Sequence, residues 1–446
     1  MKQHHMKKKS TFQTFVSNAR LSLFTLLAAI FFLSPVSIAR VSAQQTLTGQ
    51  ASAAPAGFTE QKVTASDGMT NTFFGSAAAI KRSTAILGAD GDASFRGSAY
   101  VFTESSGVWS ETQKLEPSDG LAGDEFGYRV ALDHGTLLVT AFSATVNGVA
   151  AQGAAYVFKQ SGDTFSETQK LTASDGGLFD NFGASVAIDG NTLVIGANGA
   201  TVGSNPAQGA VYVFTNSGGV WTEAQKLIAD DGAAFDNFGL SVALHGSTIL
   251  VGSPQAIIDG RFAQGAIYVF TNSGGIWSQT QKLTASDGAA SDSFGESVAI
   301  SGNTALIGAF GATVDGHAGA GAAYIFSNLS GTWSEMQKLT ASDPGLFFNF
   351  GNTLALHNHK AVIAADVTTV DGHTSAGKVY IFTKPGSTWT QFDTLVASDG
   401  TTDDFFGAAL ALGPGTVLVA TPHPVIDGNS FQGAAYFYEH TPDRLP

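Results

Sequence analysis

Cysteine is absent from the chain, which excludes disulfides and thiolate metal sites as sources of stability. Charge is scarce: 13% of residues are Asp, Glu, Lys or Arg, about half the usual share. That argues against a coiled coil, a charged helical array or a disordered polyelectrolyte. Basic residues are the scarcer sign, 22 against 36 acidic. After residue 40 no apolar run reaches the length needed to span a bilayer. In excess are Gly, 53 of 446 residues, and Phe, 33 of them. A glycine-rich, charge-poor composition fits a turn-rich β protein.

Residues 1–43 read as a cleaved signal peptide. Lys2, Lys7, Lys8, Lys9 and Arg20 form a basic start, an apolar stretch follows from Leu21 to Ile38, and Val41-Ser42-Ala43 supplies a small-x-small site. Cleavage is expected after Ala43, with residues 44–56 as a flexible leader and 441–446 as a loose tail. Loss of those five cations and Arg40 leaves 16 basic against 36 acidic side chains, a net charge of −20. Such a chain repels phosphate backbones, so nucleic-acid binding is not expected. The expected location is outside the cytoplasm, extracellular or periplasmic, with no membrane span in the mature chain.

Self-comparison gives the organisation. Phe-Gly recurs at Phe74, Phe126, Phe182, Phe238, Phe294, Phe350 and Phe406, spaced by 52 residues once and then by 56. In step with it run GSAYVF-like phrases ending at Phe102, Phe158, Phe214, Phe270, Phe326, Phe382 and Tyr438. A third phrase, Q-K-L/V-x-A/P-S/D-D, starts at Gln61, Gln113, Gln169, Gln225, Gln281 and Gln337, with a degenerate copy ending at Asp399.

One period holds four short strands. In the third, segments 184–188 and 192–196 flank the Asp189-Gly190-Asn191 turn, 210–214 alternates like a half-buried strand, and a Gly-rich turn leads into 220–227. Seven such units predict an all-β fold, a seven-bladed β-propeller of four-stranded antiparallel blades over residues 57–440. The chain opens on a lone fourth strand near Phe58 and ends on a third strand near Tyr438. The N-terminal strand is therefore expected to complete the last blade and to remove its open edge.

These phrases resemble the FG-GAP repeat of integrin α-subunit propellers, in the bacterial form reading QKLTASDG…FG…VAI…GNTLVIGA…GAAYVF. The "GAP" portion appears as Gly88-Ala89-Asp90, Gly196-Ala197-Asn198, Gly252-Ser253-Pro254 and Gly308-Ala309-Phe310. The resemblance covers all seven copies and implies a propeller used in extracellular recognition or adhesion. In integrin-type repeats Ca²⁺ occupies an Asp-rich loop between the first two strands. Here that connection is a short turn such as Asp189-Gly190-Asn191, which lacks the 6–8 oxygen ligands Ca²⁺ takes. Neither a metal nor another cofactor is expected.

The Phe-Gly pairs are expected to be structural, Phe filling the space between blades. The same holds for Trp109, Trp221, Trp277, Trp333 and Trp389, with Phe165 in the equivalent slot. No Ser/His/Asp set or phosphate loop converges; Gly372…Gly377-Lys378 matches the phosphate-loop spacing, but a strand follows it.

Acid placement carries more. Connections between blades and loops between second and third strands hold 22 of the 36 acids, and in antiparallel blades both sets emerge on one face. The Asp of each Asp-Gly or Asp-Pro turn is expected to cap its loop. Asp124, Asp180, Asp236, Asp292 and Asp404, two residues before Phe-Gly, together with Asp259, Asp315, Asp371 and Asp427 in the variable loops, form the candidate binding face. The expectation is a monomeric, non-catalytic recognition or adhesion module for an extracellular protein or glycan, favouring basic partners. The alternatives are a glycan hydrolase or lyase with carboxylates at the propeller mouth, and a structural surface or matrix protein.

Overall fold

The computed structural model describes residues 57–440; the expected signal peptide, the leader and the tail lie outside them. The strands form seven four-stranded antiparallel sheets, six built from strands consecutive in sequence. Blade 3 is typical: Phe182–Asp189 lies innermost, followed outward by Thr192–Ala197, Ala210–Ser217 and Val220–Leu227. Residues 193–197 of the second strand and 210–214 of the third are buried on both faces because a neighbouring blade covers each side, while the third strand's end, Thr215 to Ser217, emerges. Only the outer strand alternates, from exposed Val220 and buried Trp221 to Lys226 and buried Leu227.

The last blade is composite. Phe58–Val63 pairs antiparallel with Ala434–His440, with Phe58 opposite His440 and Val63 opposite Ala435. This is the closure expected from the half-blades at the two ends of the repeat array, and it covers the edge of the seventh sheet. Among the described residues the one short helical turn, Asp92–Phe95, has Ala93, Ser94 and Phe95 in the left-handed region.

The core is divided into seven inter-blade layers. Phe182 packs with Leu138 and Val157 of blade 2 and with Leu193, Ile195 and Tyr212 of its own blade. It meets Tyr212 edge-on at 5.6 Å between ring centres. The Phe-Gly backbone docks on the neighbouring blade at a glycine: Gly209 has φ +92, and a Cβ there would stand 2.0 Å from the Phe238 carbonyl oxygen. Only hydrogen fits that gap. The Trp slot is also structural, as Trp109 stacks on Phe437 at 4.3 Å and an interplanar angle of 5°.

Each residue type of the QKLxASD phrase makes a defined contact. Gln169 clamps the next blade, its Nε2 donating to the Trp221 carbonyl at 2.7 Å and its Oε1 accepting from the Trp221 N–H at 2.9 Å. Asp175 accepts hydrogen bonds from the Tyr212 hydroxyl and from Lys226 Nζ, both at 2.7 Å. Lys226 Nζ also lies 5.2 Å from the Tyr212 ring centre. Burial alone would raise the Asp175 carboxyl, but these two hydrogen bonds outweigh it and hold it below its usual range. Ser174 is held through its N–H and hydroxyl by Glu223 of the following outer strand. The Tyr–Asp–Lys clamp recurs in every blade, and in the last one Lys62 reaches Asp399 and so fastens the N-terminal strand.

Candidate functional site

Each connection between blades runs beside the second-to-third-strand loop of the preceding blade: the Phe179 N–H donates to the Ala150 carbonyl, Phe235 to Pro206 and Phe347 to Ala318. Both loop sets therefore share one face. The geometry divides the nine candidate acids into two groups. Asp124, Asp180, Asp236, Asp292 and Asp404 are buried. Their carboxylates accept from the N–H groups of Leu121, Gly177, Ala233, Ala289 and Thr401, three residues earlier. Where blade 1 carries Thr72 instead, its hydroxyl takes over, accepting from the Met69 N–H at 2.9 Å. These five are loop caps that lie beneath the surface rather than on it. Asp259, Asp315, Asp371 and Asp427 are exposed. Each is the first central residue of a tight Asp-Gly turn, with φ near +51.

Sequence reasoning missed the apolar side chains between these acids. Phe179, Phe235 and Phe347 occupy one position, three residues before the Phe-Gly phenylalanine, and are 56%, 64% and 60% exposed. All three lie in the left-handed region, with φ of 61, 67 and 58. Phe95, Phe262 and Phe431 from the adjoining loops are exposed too. At the seam between the last blade and the first, Phe405, His423, Phe431 and Phe73 form a chain of ring contacts of 4.8 to 5.7 Å. A large apolar residue inside a Gly/Ala/Asp/Ser turn was the signal that could have found them.

The FG-GAP repeat model matches the chain seven times, at residues 58–102, 109–158, 165–214, 221–270, 277–326, 333–382 and 389–438. The chain belongs to the FG-GAP repeat family. It is 26% identical over 221 residues to integrin alpha-3 of Mus musculus, covering 47% of this chain and 21% of that one. Against integrin alpha-3 of Cricetulus griseus it is 25% identical over 224 residues, covering 48% and 21% respectively. The match thus spans about a fifth of the length of these relatives.

The FG-GAP blades enclose an axial channel lined by their innermost strands, with a cavity of about 290 Å³. Two charged side chains reach it, Glu296 directly after Phe294-Gly295 and Arg129 one residue further on after Phe126-Gly127. The Arg129 guanidinium lies 4.2 Å from the Tyr128 ring, which itself stacks on Phe142 at 3.8 Å. Burial pushes Glu296 up to about 7, against the pull of Arg129. Burial and Glu125 push Asp90 up to about 6, with Arg129 opposing, and burial does the same to Asp366. Among the described residues no three His, Asp or Glu are grouped to hold a metal ion.

The shift at Glu296 has a sign that can be measured. Below its ordinary value of 4.5 the carboxyl is protonated in folded and unfolded chains alike and contributes nothing. Above about 7 the folded chain holds a charge in the channel, so stability falls between those values and stays lower beyond them. Glu296→Gln is expected to leave Tm unchanged near pH 4 and to raise it by roughly 2 °C near pH 8. Equal melting temperatures near pH 8 would show that channel water solvates the carboxylate fully.

Proposed function

We propose that this protein is an exported recognition or adhesion module that binds an extracellular protein or glycan through its loop face. The observation that carries this reading is the set of three exposed phenylalanines in left-handed backbone, Phe179, Phe235 and Phe347. Each costs about 1–2 kcal/mol in backbone strain and leaves a large apolar ring in water. The backbone does not demand Phe there, since Gly123 and Ser291 fill the same position in blades 2 and 5. Rigid aromatic anchors among polar groups are what binding surfaces use. The exposed aspartates beside them favour a partner that brings basic side chains.

The test is binding of residues 44–446 to printed arrays of glycans and of Lys/Arg-rich peptides, with and without chelator. The expected result is specific binding, unaffected by chelator, that drops at least about tenfold in a Phe179→Ser/Phe235→Ser/Phe347→Ser variant whose Tm matches or exceeds that of the parent. Binding unchanged in that variant would place recognition elsewhere, and blank arrays would refute the reading. A second reading, a glycan-active enzyme, draws on the raised carboxyls of Glu296, Asp90 and Asp366. It requires array glycans to be cleaved rather than retained, which mass spectrometry of the recovered glycans reads directly.

A further inference from the structure

The face opposite the loops, formed by the tight turns, carries two adjoining cavities of about 600 Å³ each across blades 1 to 3. Lys81 and Arg82 line the first, and His134 and Lys159 are shared by both. Hydroxyl and amide groups, among them Thr84, Gln160, Asn191 and Asn216, share the rest of the lining with glycines and with the apolar Leu132, Val157 and Trp221. We propose that this groove binds an anionic oligosaccharide, its carboxylate or sulfate groups meeting Lys81, Arg82, His134 and Lys159.

The repeats themselves supply the comparison that supports this. At the first-to-second-strand turn, blades 3, 4 and 5 use Gly190, Gly246 and Gly302, with φ of 56, 55 and 57. Blades 1 and 2 place Arg82 and His134 at that position, with φ of 54 and 44. The backbone is the same and glycine suits it better, so these side chains are held at a strain the fold does not require. Lys159 is a third such exchange. It pairs with Thr136 across the sheet, where the matching residues are Thr103, Thr215, Thr271, Ser327 and Thr383, and Glu439 in the composite blade. Three independent departures thus converge on one groove, two of them, Arg82 and Lys159, adding positive charge.

Among the described residues seven other lysines are committed to Tyr–Asp–Lys clamps, one in every blade. In the groove the one buried acid, Asp133, acts as a positioning residue. It lies 3.0 Å from Lys81 Nζ and 2.6 Å from His134 Nδ1, and it accepts from the Gly190 N–H at 3.0 Å. Lys81, Arg82 and Lys159 leave the groove net positive around it. Each cavity suits a ligand of drug size, so the pair accommodates an oligomer. Hydroxyl and amide groups between the cations suit a polyol. The field of an acidic chain disfavours a long polyanion such as nucleic acid, whereas a short oligosaccharide meets only the local charges.

The test is calorimetric titration of residues 44–446 with a chondroitin sulfate hexasaccharide and a galacturonate hexamer, with maltohexaose and sodium sulfate as controls. Binding of at least one acidic oligomer is expected, with maltohexaose silent. Arg82→Gly, His134→Gly and Lys159→Thr, each a return to the residue used by other blades, should together weaken that binding at least about tenfold while Tm holds or rises. The Phe179→Ser/Phe235→Ser/Phe347→Ser variant should bind as the parent does, which separates this site from the loop face. The proposal is overturned by silence from both acidic oligomers, by equal binding of maltohexaose, by full retention in the Arg82→Gly/His134→Gly/Lys159→Thr variant, or by sodium sulfate displacing the oligomer at equal anion concentration.

Discussion

A chain that starts at residue 66, lacking Phe58–Val63, is expected to lose the closed ring and with it cooperative unfolding. The truncation removes a six-residue strand from the seventh sheet and bares the edge of Ala434–His440. Buried Tyr438 loses its hydrogen bond to Glu60, and Asp399 loses Lys62. Gln61 no longer clamps Trp109 of blade 1. Counting the buried Phe58 ring and these polar contacts, the loss is on the order of 5 kcal/mol or more, comparable to the whole stability of many domains. The bared edge also templates pairing with another chain. Thermal melts and size-exclusion chromatography against a chain starting at residue 51 measure both effects. A synthetic peptide of residues 57–64 added in trans should restore part of the loss. A truncated chain that remains monomeric with an unchanged Tm would show that closure contributes little.

Gly209→Ala should be strongly destabilising, and Gly219→Ala is its control. Both glycines have φ +92, so backbone strain is matched. Nothing lies within 4 Å of a Cβ at Gly219, whereas at Gly209 it would stand 2.0 Å from the Phe238 oxygen and 2.6 Å from its nitrogen. Gly219→Ala should therefore cost about 1–2 kcal/mol, from strain alone. Gly209→Ala must also push two blades apart and should cost about 4 kcal/mol or more. Urea midpoints at constant m report the difference. Equal costs would mean that the blades do not meet at this glycine.

The architecture was legible because the repeat is written three times per period, and each phrase has a separate mechanical duty. Phe-Gly joins blades at the inside, the GAAYVF strand fills the layers, and QKLxASD locks the outside. Closure was legible from the half-blade at each end of the array. The candidate site was only partly so. Asp180 and Asp259 look alike in sequence, each an Asp in a glycine-rich loop. Asp180 lies between two left-handed residues, Phe179 and Asn181, and that local path turns its carboxylate inward onto the Gly177 N–H. Asp259 lies at the tip of a two-residue turn and faces outward. Residue type does not encode that choice; the dihedral angles on either side do. The same angles lift Phe179 into solvent, which is why an apparently core-forming residue was overlooked.

The composite blade also sets an order of events during synthesis. Glu60 and Tyr438 are 378 residues apart in sequence yet share a hydrogen bond. Blades 1 to 6 are each made from one continuous stretch of chain and can assemble as their own residues emerge. Phe58–Val63 emerges before all of them and has no partner until the Ala434–His440 strand has been made. The first of the propeller's strands to leave the ribosome is thus among the last to be buried, and the ring must wait for it with one sheet incomplete. Folding is therefore timed by the far end of the chain, and any segment that slows the final repeat prolongs the interval in which that strand stands alone.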